Sequence, residues 1–538
     1  MEYHPVHARR PRPGSMISPL ERVLTSVRRF PDHPAVHDDR AVSYSALLAR
    51  TRRIAAALPA AGPAPALGAV LVARNATGYA ALLATMWAGR AYVPLNPDYP
   101  AGRNAAMLLA SGADTLIVDE PAVAGLGRLT AALPHPITIV LLGGGDPGVD
   151  VTSRHHVVRA DPVDGVPTRH DPADLPGPAY LLFTSGTTGT PSGVPVSPGN
   201  VAAYLDAVAG RHDLGPGDRA SQTFELTFDL SVHDMFATWQ SGACLHPLSA
   251  RALLQPAAFI RRHRLTTWFS VPSAAARAGG LGVLGPGVLP SLRWSLFCGE
   301  PLISRVAATW QAAAPSATLD NLYGPTEATI AITGYQPPAE SWRDDDGNGV
   351  LPIGWPFPGQ STIVTADGEA VAPGDTGELW LSGSQVTSGY WADPGRTADR
   401  FVTRADGHWF RTGDLVHRDT HGALRFHGRV DDQIKIGGFR VELLEADHVL
   451  RTACDSADAL TVPWPDATAP RYLIAVVTRG AGRGPDAILE ACARTLPRYM
   501  VPRRVAVLDE IPRNPNGKLD RKAAAALLEK GRHDVVLS

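Results

Sequence analysis

The chain has 538 residues, enough for three or four domains at about 150 residues each. Hydrophobic residues make up 44%, and 50 Lys and Arg nearly balance 52 Asp and Glu at a formal net charge of -2, which excludes disorder, collagen and coiled coil for the whole chain. The balanced charge and the lack of any run near the roughly 20 apolar residues of a membrane span argue against nucleic acid or a membrane as partner.

The N-terminal segment is basic and proline-rich but lacks the apolar core of a secretory signal. The four cysteines form no CxxC pair, which predicts reduced thiols in a cytoplasmic protein.

In chain order, helical stretches alternate from about residue 20 to 175 with short β-branched runs, such as 68–73 and 137–142. This alternation predicts βα units around a largely parallel sheet. The pattern returns after residue 198, with strand-like runs at 268–271 and 293–297, and predicts a second α/β lobe.

After about residue 351 the pattern changes to strand-like runs separated by turns, which predicts a small β-rich subdomain. The fold class is therefore α/β: a large N-terminal domain of two α/β subdomains plus this β-rich subdomain, hinged to a small α+β C-terminal domain. We place the boundary at the polar pair Asp431–Asp432, which gives domains at 1–430 and 431–538.

A glycine-rich loop follows one buried strand pattern without a gap. Residues 180–183 are apolar, and residues 184–193 contain only Gly, Ser, Thr and Pro. Backbone amides and hydroxyls of such a loop can surround a polyphosphate, although a flexible linker has the same composition. No lysine follows the last glycine, so the loop differs from that of P-loop NTPases.

This loop resembles the phosphate-loop signature of the adenylate-forming superfamily, the acyl- and aminoacyl-activating enzymes. Segments similar to that family's other motifs follow or precede it in the expected order, at 92–100, 321–327, 377–391, 411–414, 428–440 and 514–518. Segments 228–231 and 296–300 resemble those of nonribosomal peptide synthetase adenylation domains and stand-alone D-alanine:carrier-protein ligases. The resemblance implies an adenylation domain at 1–430 and a mobile C-terminal domain at 431–538.

The implied reaction is ATP-dependent formation of an aminoacyl-AMP with Mg²⁺, followed by transfer to a phosphopantetheine thiol, as in nonribosomal peptide or hybrid natural product biosynthesis. Two anions must meet in the first step, so the site needs cations. The resemblance assigns catalytic roles to Lys518, Lys435, Thr326 and Glu327, with Glu327 as the metal ligand. An exposed turn lysine is the alternative for Lys518. The implied ATP-binding residues are Thr184, Ser185, Gly186, Thr187, Thr188, Gly189, Asn321, Tyr323, Asp414 and Arg429.

The implied substrate pocket is mostly apolar and suits a small to medium uncharged amino acid, with alanine favoured. Its residues are Phe228, Asp229, Leu230, His233, Ser270, Leu296, Cys298, Leu322, Ile330 and Ala331. Asp229 is either the anchor of the substrate ammonium or a helix cap. His233 either alters the size or polarity preference or simply packs.

One residue departs from the family pattern: Ser192 stands where the family usually has lysine, which predicts weaker handling of ATP. For the second step, the resemblance makes Asp431 a hinge and Gly437 and Gly438 the strip that admits the thiol arm. The two glycines also suit an ordinary hairpin turn.

Only twenty residues follow Lys518, which leads us to expect a free-standing carrier protein. The arginines between 494 and 504 are its candidate docking surface or an ordinary solvated face. Two rival functions remain open: an acyl- or aryl-CoA ligase of the same fold, and a degenerate homologue that binds a carrier without catalysis.

Overall fold

The computed structural model describes residues 17–60, 65–160, 177–184, 191–249, 251–338, 349–430, 433–466, 470–479, 482–513 and 519–530. The helices are α1 Pro19–Arg29, α2 Tyr44–Ala56, α3 Ala76–Trp87, α4 Ala101–Ser111, α5 Leu126–Thr130, α6 Val149–Arg154, α7 Pro198–His212, α8 Leu230–Val232, α9 Thr238–Gln240, α10 Pro256–His263, α11 Pro272–Gly280, α12 Ser304–Ala313, α13 Pro394–Arg400, α14 Leu443–Cys454, α15 Pro485–Thr495 and α16 Arg521–Glu529. The strands are β1 Pro34–His37, β2 Ala41–Ser43, β3 Leu67–Leu71, β4 Ala91–Leu95, β5 Thr115–Asp119, β6 Thr138–Leu142, β7 His156–Arg159, β8 Tyr180–Thr184, β9 Ser192–Val196, β10 Arg219–Gln222, β11 Cys244–Pro247, β12 Thr267–Ser270, β13 Trp294–Phe297, β14 Thr318–Tyr323, β15 Thr333–Tyr335, β16 Trp355–Pro356, β17 Gln360–Ala366, β18 Glu369–Ala370, β19 Gly377–Gly383, β20 Phe401–Arg404, β21 Gly407–Arg418, β22 Leu424–Arg429, β23 Gln433–Ile436, β24 Phe439–Glu442, β25 Ala459–Trp464, β26 Tyr472–Thr478 and β27 Arg504–Leu508.

Two large, mainly parallel sheets form the N-terminal lobes. One has the order β7-β6-β5-β3-β4-β8-β9 and the other β16-β15-β14-β13-β12-β10-β11-β1-β2. Their central strands are buried along their whole length, because helices cover both faces of a parallel sheet and leave no polar side. The prediction of two α/β lobes is confirmed.

The hairpin of β8 and β9 flanks the glycine-rich loop, and α7 follows it directly. Ser197 caps α7 through a capping box with Asn200, and Pro198 occupies the first helical turn. Proline suits that position because its missing N–H has no intrahelical partner there.

The β-rich subdomain is an antiparallel sheet of order β18-β17-β19-β21-β20, with β22 paired to β21. The C-terminal portion contains the hairpin β23–β24, the sheet β25-β26-β27 and helices α14 to α16. This is the predicted large N-terminal domain with a smaller α+β domain. The exact boundary stays a prediction, since residues 431–432 lie outside the described residues.

The C-terminal portion packs on the N-terminal lobes through a buried ion pair and an edge-on aromatic contact. Arg103 donates to Glu445 at 2.5 Å, with side-chain exposures of 7% and 3%. Phe439 stacks on Tyr499 at 3.8 Å and meets Phe228 edge-on at 4.4 Å, which brings the β23–β24 hairpin against the larger lobe. No helix within the described ranges has the length and apolar character to cross a membrane.

Candidate functional site

Residues far apart in the sequence meet at one edge of the larger sheet. Strands β12, β13 and β14 run parallel, with Ser270 opposite Phe297 and Phe297 opposite Asn321. Because parallel strands end at the same edge, Ser270, Cys298 and Leu322 come together there. Such an edge is the usual ligand-binding position in α/β proteins.

Asp229 is buried beside this edge with one oxygen unused. The residue is 7% exposed, and its Oδ2 has no hydrogen-bond partner among the described residues. Burial raises the pKa of Asp229 to about 6, against the opposing effects of the Thr326 hydroxyl, the Ile330 backbone amide and Lys435. Although Asp229 precedes α8, its side chain makes no capping hydrogen bond. The helix-cap interpretation is therefore wrong, and the carboxylate is available to a cation.

The backbone opposite Asp229 is strained. Thr329 and Ile330 have φ of 56° and 74°, in the left-handed region that β-branched residues rarely adopt. Gln385 holds this segment, since its Nε2 donates to the Ala331 carbonyl at 2.6 Å, while the Thr329 hydroxyl donates to the Gln385 carbonyl at 2.5 Å. Gly324 is required nearby because a Cβ there would lie 2.6 Å from the Cα of Ala331.

The remaining predicted pocket residues are buried around the same edge. His233 shares a 2.7 Å hydrogen bond with the Tyr204 hydroxyl, and burial lowers its pKa to about 3, which keeps it neutral. Burial raises the pKa of Cys298 to about 12, so it stays a thiol. The pocket residues that are at most 5% exposed are Leu230, His233, Ser270, Leu296, Cys298, Leu322, Ile330 and Ala331. Phe228 is partly exposed and contacts Phe439 across the cleft.

Three of the predicted nucleotide residues, Tyr323, Asp414 and Arg429, form a hydrogen-bonded chain. The Tyr323 hydroxyl donates to Asp414, and Arg429 pairs with the other oxygen of that carboxylate. Asn321 donates to the Pro352 carbonyl at 2.8 Å. Arg429 also donates to Gln433 at 2.6 Å and so links the β-rich subdomain to the C-terminal hairpin.

Glu327 is a fully buried carboxylate compensated by a cation from the C-terminal portion. Tyr390 donates to its Oε1 at 2.6 Å, and Arg440 lies 3.0 Å from its Oε2. Burial raises the pKa of Glu327, but Arg440 and Tyr390 outweigh this effect and leave it lowered. A Mg²⁺ ion fits this ionised carboxylate, and it would compete with Arg440 for the same oxygens.

An arginine stands beside the departure from the family's phosphate loop. Arg396 donates through Nη1 to the Ser192 hydroxyl at 2.6 Å, and its guanidinium lies 4.8 Å from the Tyr390 ring centroid. Ser192 is paired with Thr184 where the β8–β9 hairpin meets the glycine-rich loop. A positive charge therefore lies against the Ser192 hydroxyl.

The β23–β24 hairpin reaches the same cleft. Gly437 and Gly438 have φ of 60° and 83°, so they do form a hairpin turn. The Gly438 amide also donates to Glu300 at 2.8 Å, and a Cβ at Gly438 would lie 2.2 Å from Val271. The hairpin and the larger lobe enclose a cavity of about 920 Å³, lined in part by Phe228, Ser270, Lys435, Gly437 and Gly438.

Some predicted residues cannot be placed. Lys518, Asp431 and the loop residues Ser185, Gly186, Thr187, Thr188 and Gly189 lie outside the described residues. Sequence reasoning missed Arg396, Arg440, Tyr390, Gln385 and Glu300. Arg440, Tyr390 and Glu300 fall inside or at the end of recognised motifs, which was the available signal, but their partners lie more than sixty residues away along the chain.

Residues 23–391 match the family described as AMP-binding enzyme, and residues 445–518 match the AMP-binding enzyme C-terminal domain. The chain belongs to the AMP-binding enzyme family. Its relatives include the L-proline--[L-prolyl-carrier protein] ligase of Streptomyces coelicolor, 35% identical over 90% of this chain and 92% of that protein. It is also 33% identical to tyrocidine synthase 2 of Brevibacillus parabrevis over 92% of this chain, yet it spans only 13% of that protein.

Solved structures show the same fold for this AMP-binding enzyme. The Vibrio cholerae adenylation domain AlmE, in complex with glycyl-adenosine-5'-phosphate, has a TM-score of 0.83 and 31% identity, covering 98% of this chain and 100% of AlmE. IdnL7 has a TM-score of 0.71 and 36% identity, and the match covers 96% of this chain and 100% of IdnL7. The chain thus belongs to the family of adenylate-forming enzymes, among which its relatives include amino-acid adenylation domains and a carrier-protein ligase.

Proposed function

We propose that this enzyme activates a small to medium uncharged amino acid as its aminoacyl-AMP and transfers it to the phosphopantetheine thiol of a free-standing carrier protein. One observation carries the choice of an amino acid: the unpartnered Oδ2 of buried Asp229 beside an apolar pocket. An acid without an amino group leaves this carboxylate unpaired, whereas a substrate ammonium supplies the missing charge. This disfavours an acyl- or aryl-CoA ligase.

The pocket supports a small, uncharged side chain. Leu296, Leu322 and Ala331 are apolar, Cys298 stays a neutral thiol, and His233 is neutral and already hydrogen-bonded to Tyr204. Two similar proteins also support a small uncharged substrate: one is named as an L-proline ligase, and AlmE was solved with a glycyl adenylate. We take alanine as the first substrate to test.

The nucleotide side supports adenylation rather than a degenerate binding role. Glu327, with Thr326, would hold the Mg²⁺ that neutralises phosphate charge, and Arg396 adds a cation beside Ser192. Asp414 and Tyr323 would hold the nucleoside, with Asn321 and Arg429 supporting them. We assign to Lys518 the approach to the attacking carboxylate and the α-phosphate.

The second step is supported by the arrangement of the C-terminal hairpin. Lys435 and the Gly437–Gly438 turn line the cavity of about 920 Å³ together with the pocket residues Phe228 and Ser270. We propose that a thiol arm enters this cavity and attacks the acyl carbon of the adenylate: the carbon–sulfur bond forms, the acyl–oxygen bond to AMP breaks, and the thiol proton passes to solvent. The cavity is also lined by the arginines Arg277, Arg305, Arg471, Arg498 and Arg503, which suit an acidic carrier.

Amino-acid-dependent pyrophosphate exchange tests the first step. A panel of L-, D- and β-amino acids is compared with matched acids that lack the amino group, and we expect exchange only with amino acids. Loading of a holo carrier protein is then compared with loading of free coenzyme A. Exchange with plain acids, or efficient transfer to coenzyme A, would refute the proposal, and ATP binding without any exchange would favour the degenerate homologue.

A further inference from the structure

Three histidines meet on the side of the larger sheet formed by β1 and β11. These parallel strands pair with Val36 opposite Leu245, so the next residues, His37 and His246, lie side by side. The last residue of α10, His263, approaches both: its ring centroid lies 5.6 Å from that of His37 and 5.2 Å from that of His246. The His37 and His246 centroids are 5.1 Å apart.

Three buried nitrogens of this histidine triad have no hydrogen-bond partner among the described residues. His246 is 3% exposed, and neither of its ring nitrogens has a hydrogen-bond partner among the described residues; the buried Nδ1 of His37 also has none. Buried polar atoms in proteins are nearly always satisfied, and an exception calls for an ion, a water or strain as its explanation. Packing alone therefore leaves the three buried nitrogens unexplained.

The geometry suits a metal ion. One candidate nitrogen from each ring lies within 4.8 Å of the other two. Around Zn²⁺ with bonds of about 2.0–2.1 Å, ligand nitrogens lie about 3.4 Å apart, so each ring needs to move inward by less than about 1 Å. His37 and His263 are partly exposed, which gives an ion a path from solvent and leaves a position for a water ligand.

Some charges near the histidine triad oppose a bound cation, and others favour it. Arg219 and Arg262 act electrostatically on His246 and His263 respectively and oppose a cation. The C-terminal end of α10, where His263 stands, carries the negative end of the helix dipole and favours one. Three imidazoles without a carboxylate suit Zn²⁺ and neighbouring transition ions such as Co²⁺, and not Mg²⁺ or Ca²⁺.

We propose that His37, His246 and His263 form a transition-metal site that binds Zn²⁺. This site is separate from the nucleotide and amino-acid site. The ion joins the strand β1 to β11 and to the end of α10. Because the ligands belong to three separate elements, it binds the folded chain and stabilises it.

Metal binding to the full-length protein tests this proposal. Chelator-treated protein in excess Mg²⁺ is titrated with Zn²⁺ by calorimetry and with Co²⁺ by visible absorption. We expect one ion per chain, a tetrahedral Co²⁺ spectrum, and a rise of about 2 °C or more in the unfolding midpoint with Zn²⁺. The variants His37→Ala and His263→Ala should each weaken Zn²⁺ binding by more than about 100-fold, because each removes a ligand; changing a residue that only holds a ligand in place costs about 10- to 100-fold.

His448→Ala, at an exposed position on α14, is the matched control and should bind Zn²⁺ like the unaltered protein. If His37→Ala fails to fold by circular dichroism, His263→Ala at the helix end decides the question alone. Absence of stoichiometric binding, or equal binding by the control and His263→Ala, overturns the proposal. Amino-acid activation is measured separately, so either result is independent of the proposed function.

Discussion

Replacing Asp229 by asparagine should separate catalysis from stability. The carboxylate is 7% exposed and its Oδ2 is unpartnered, so the substrate ammonium is its natural counter-ion. Removing one partner of such a buried pair costs about 3–5 kcal/mol. Asp229→Asn should therefore lower kcat/KM for the amino acid by about two to four orders of magnitude.

The same substitution should not destabilise the fold. Burial raises the pKa of Asp229 from 3.8 to about 6, so at neutral pH the ionised form costs the free protein about 3 kcal/mol. The folded state binds the proton more tightly than the unfolded state, so this cost is absent below about pH 4, grows between pH 4 and 6 and is complete above it. Asp229→Asn removes the penalty and its pH dependence.

The assay pairs amino-acid-dependent pyrophosphate exchange with denaturant unfolding at pH 4, 5, 6 and 7.5. We expect the difference in unfolding free energy between the variant and the unaltered protein to move in favour of the variant as the pH rises through this window. Equal loss of activity and stability at neutral pH would instead identify Asp229 as a structural residue and refute its role in binding the substrate ammonium.

Four further predictions concern the cations around the site. Lys518→Ala should abolish adenylate formation, measured by pyrophosphate exchange, while the Kd for ATP changes by less than tenfold; unimpaired exchange would contradict the role of this lysine. Lys435→Ala should mainly slow loading of the carrier protein, measured in single-turnover assays. Arg440→Ala removes the cation that neutralises Glu327 in the present domain arrangement, so thioester formation should fall by at least about tenfold. Pyrophosphate exchange should be retained, because Mg²⁺ can still neutralise the Glu327 carboxylate. Arg396→Ala should raise the KM for ATP several-fold, and adding Ser192→Lys should recover part of the loss; an unchanged KM shows that the guanidinium does not act on the nucleotide.

Local sequence was sufficient for the architecture of the lobes. The apolar runs at 68–73, 137–142 and 268–271 coincide with β3, β6 and β12 within two residues at either end. These segments are buried on both faces, so their composition alone reports their environment. The change of pattern after residue 351 likewise indicated the antiparallel sheet of the β-rich subdomain.

Local sequence could not show how the Gly437–Gly438 turn packs. The sequence allowed either an ordinary hairpin turn or a strip that admits the thiol arm. The structure has a hairpin turn, and its tip leaves no room for a Cβ at Gly438 against Val271. A contact between residues 167 positions apart has no local signal, because it depends on how the C-terminal portion docks.

By itself, the sequence determined the α/β class and the glycine-rich loop, since these follow from hydrophobic period and residue type within short windows. The set of motif residues followed from the resemblance of those short segments to the adenylate-forming family. Only the tertiary structure decided that Asp229 keeps an unpaired oxygen, that Arg440 and Arg396 reach Glu327 and Ser192, and that three histidines converge on one side of a sheet. Charge compensation and ligand geometry act through space between distant segments, so they become definite only when strand order and domain packing are fixed.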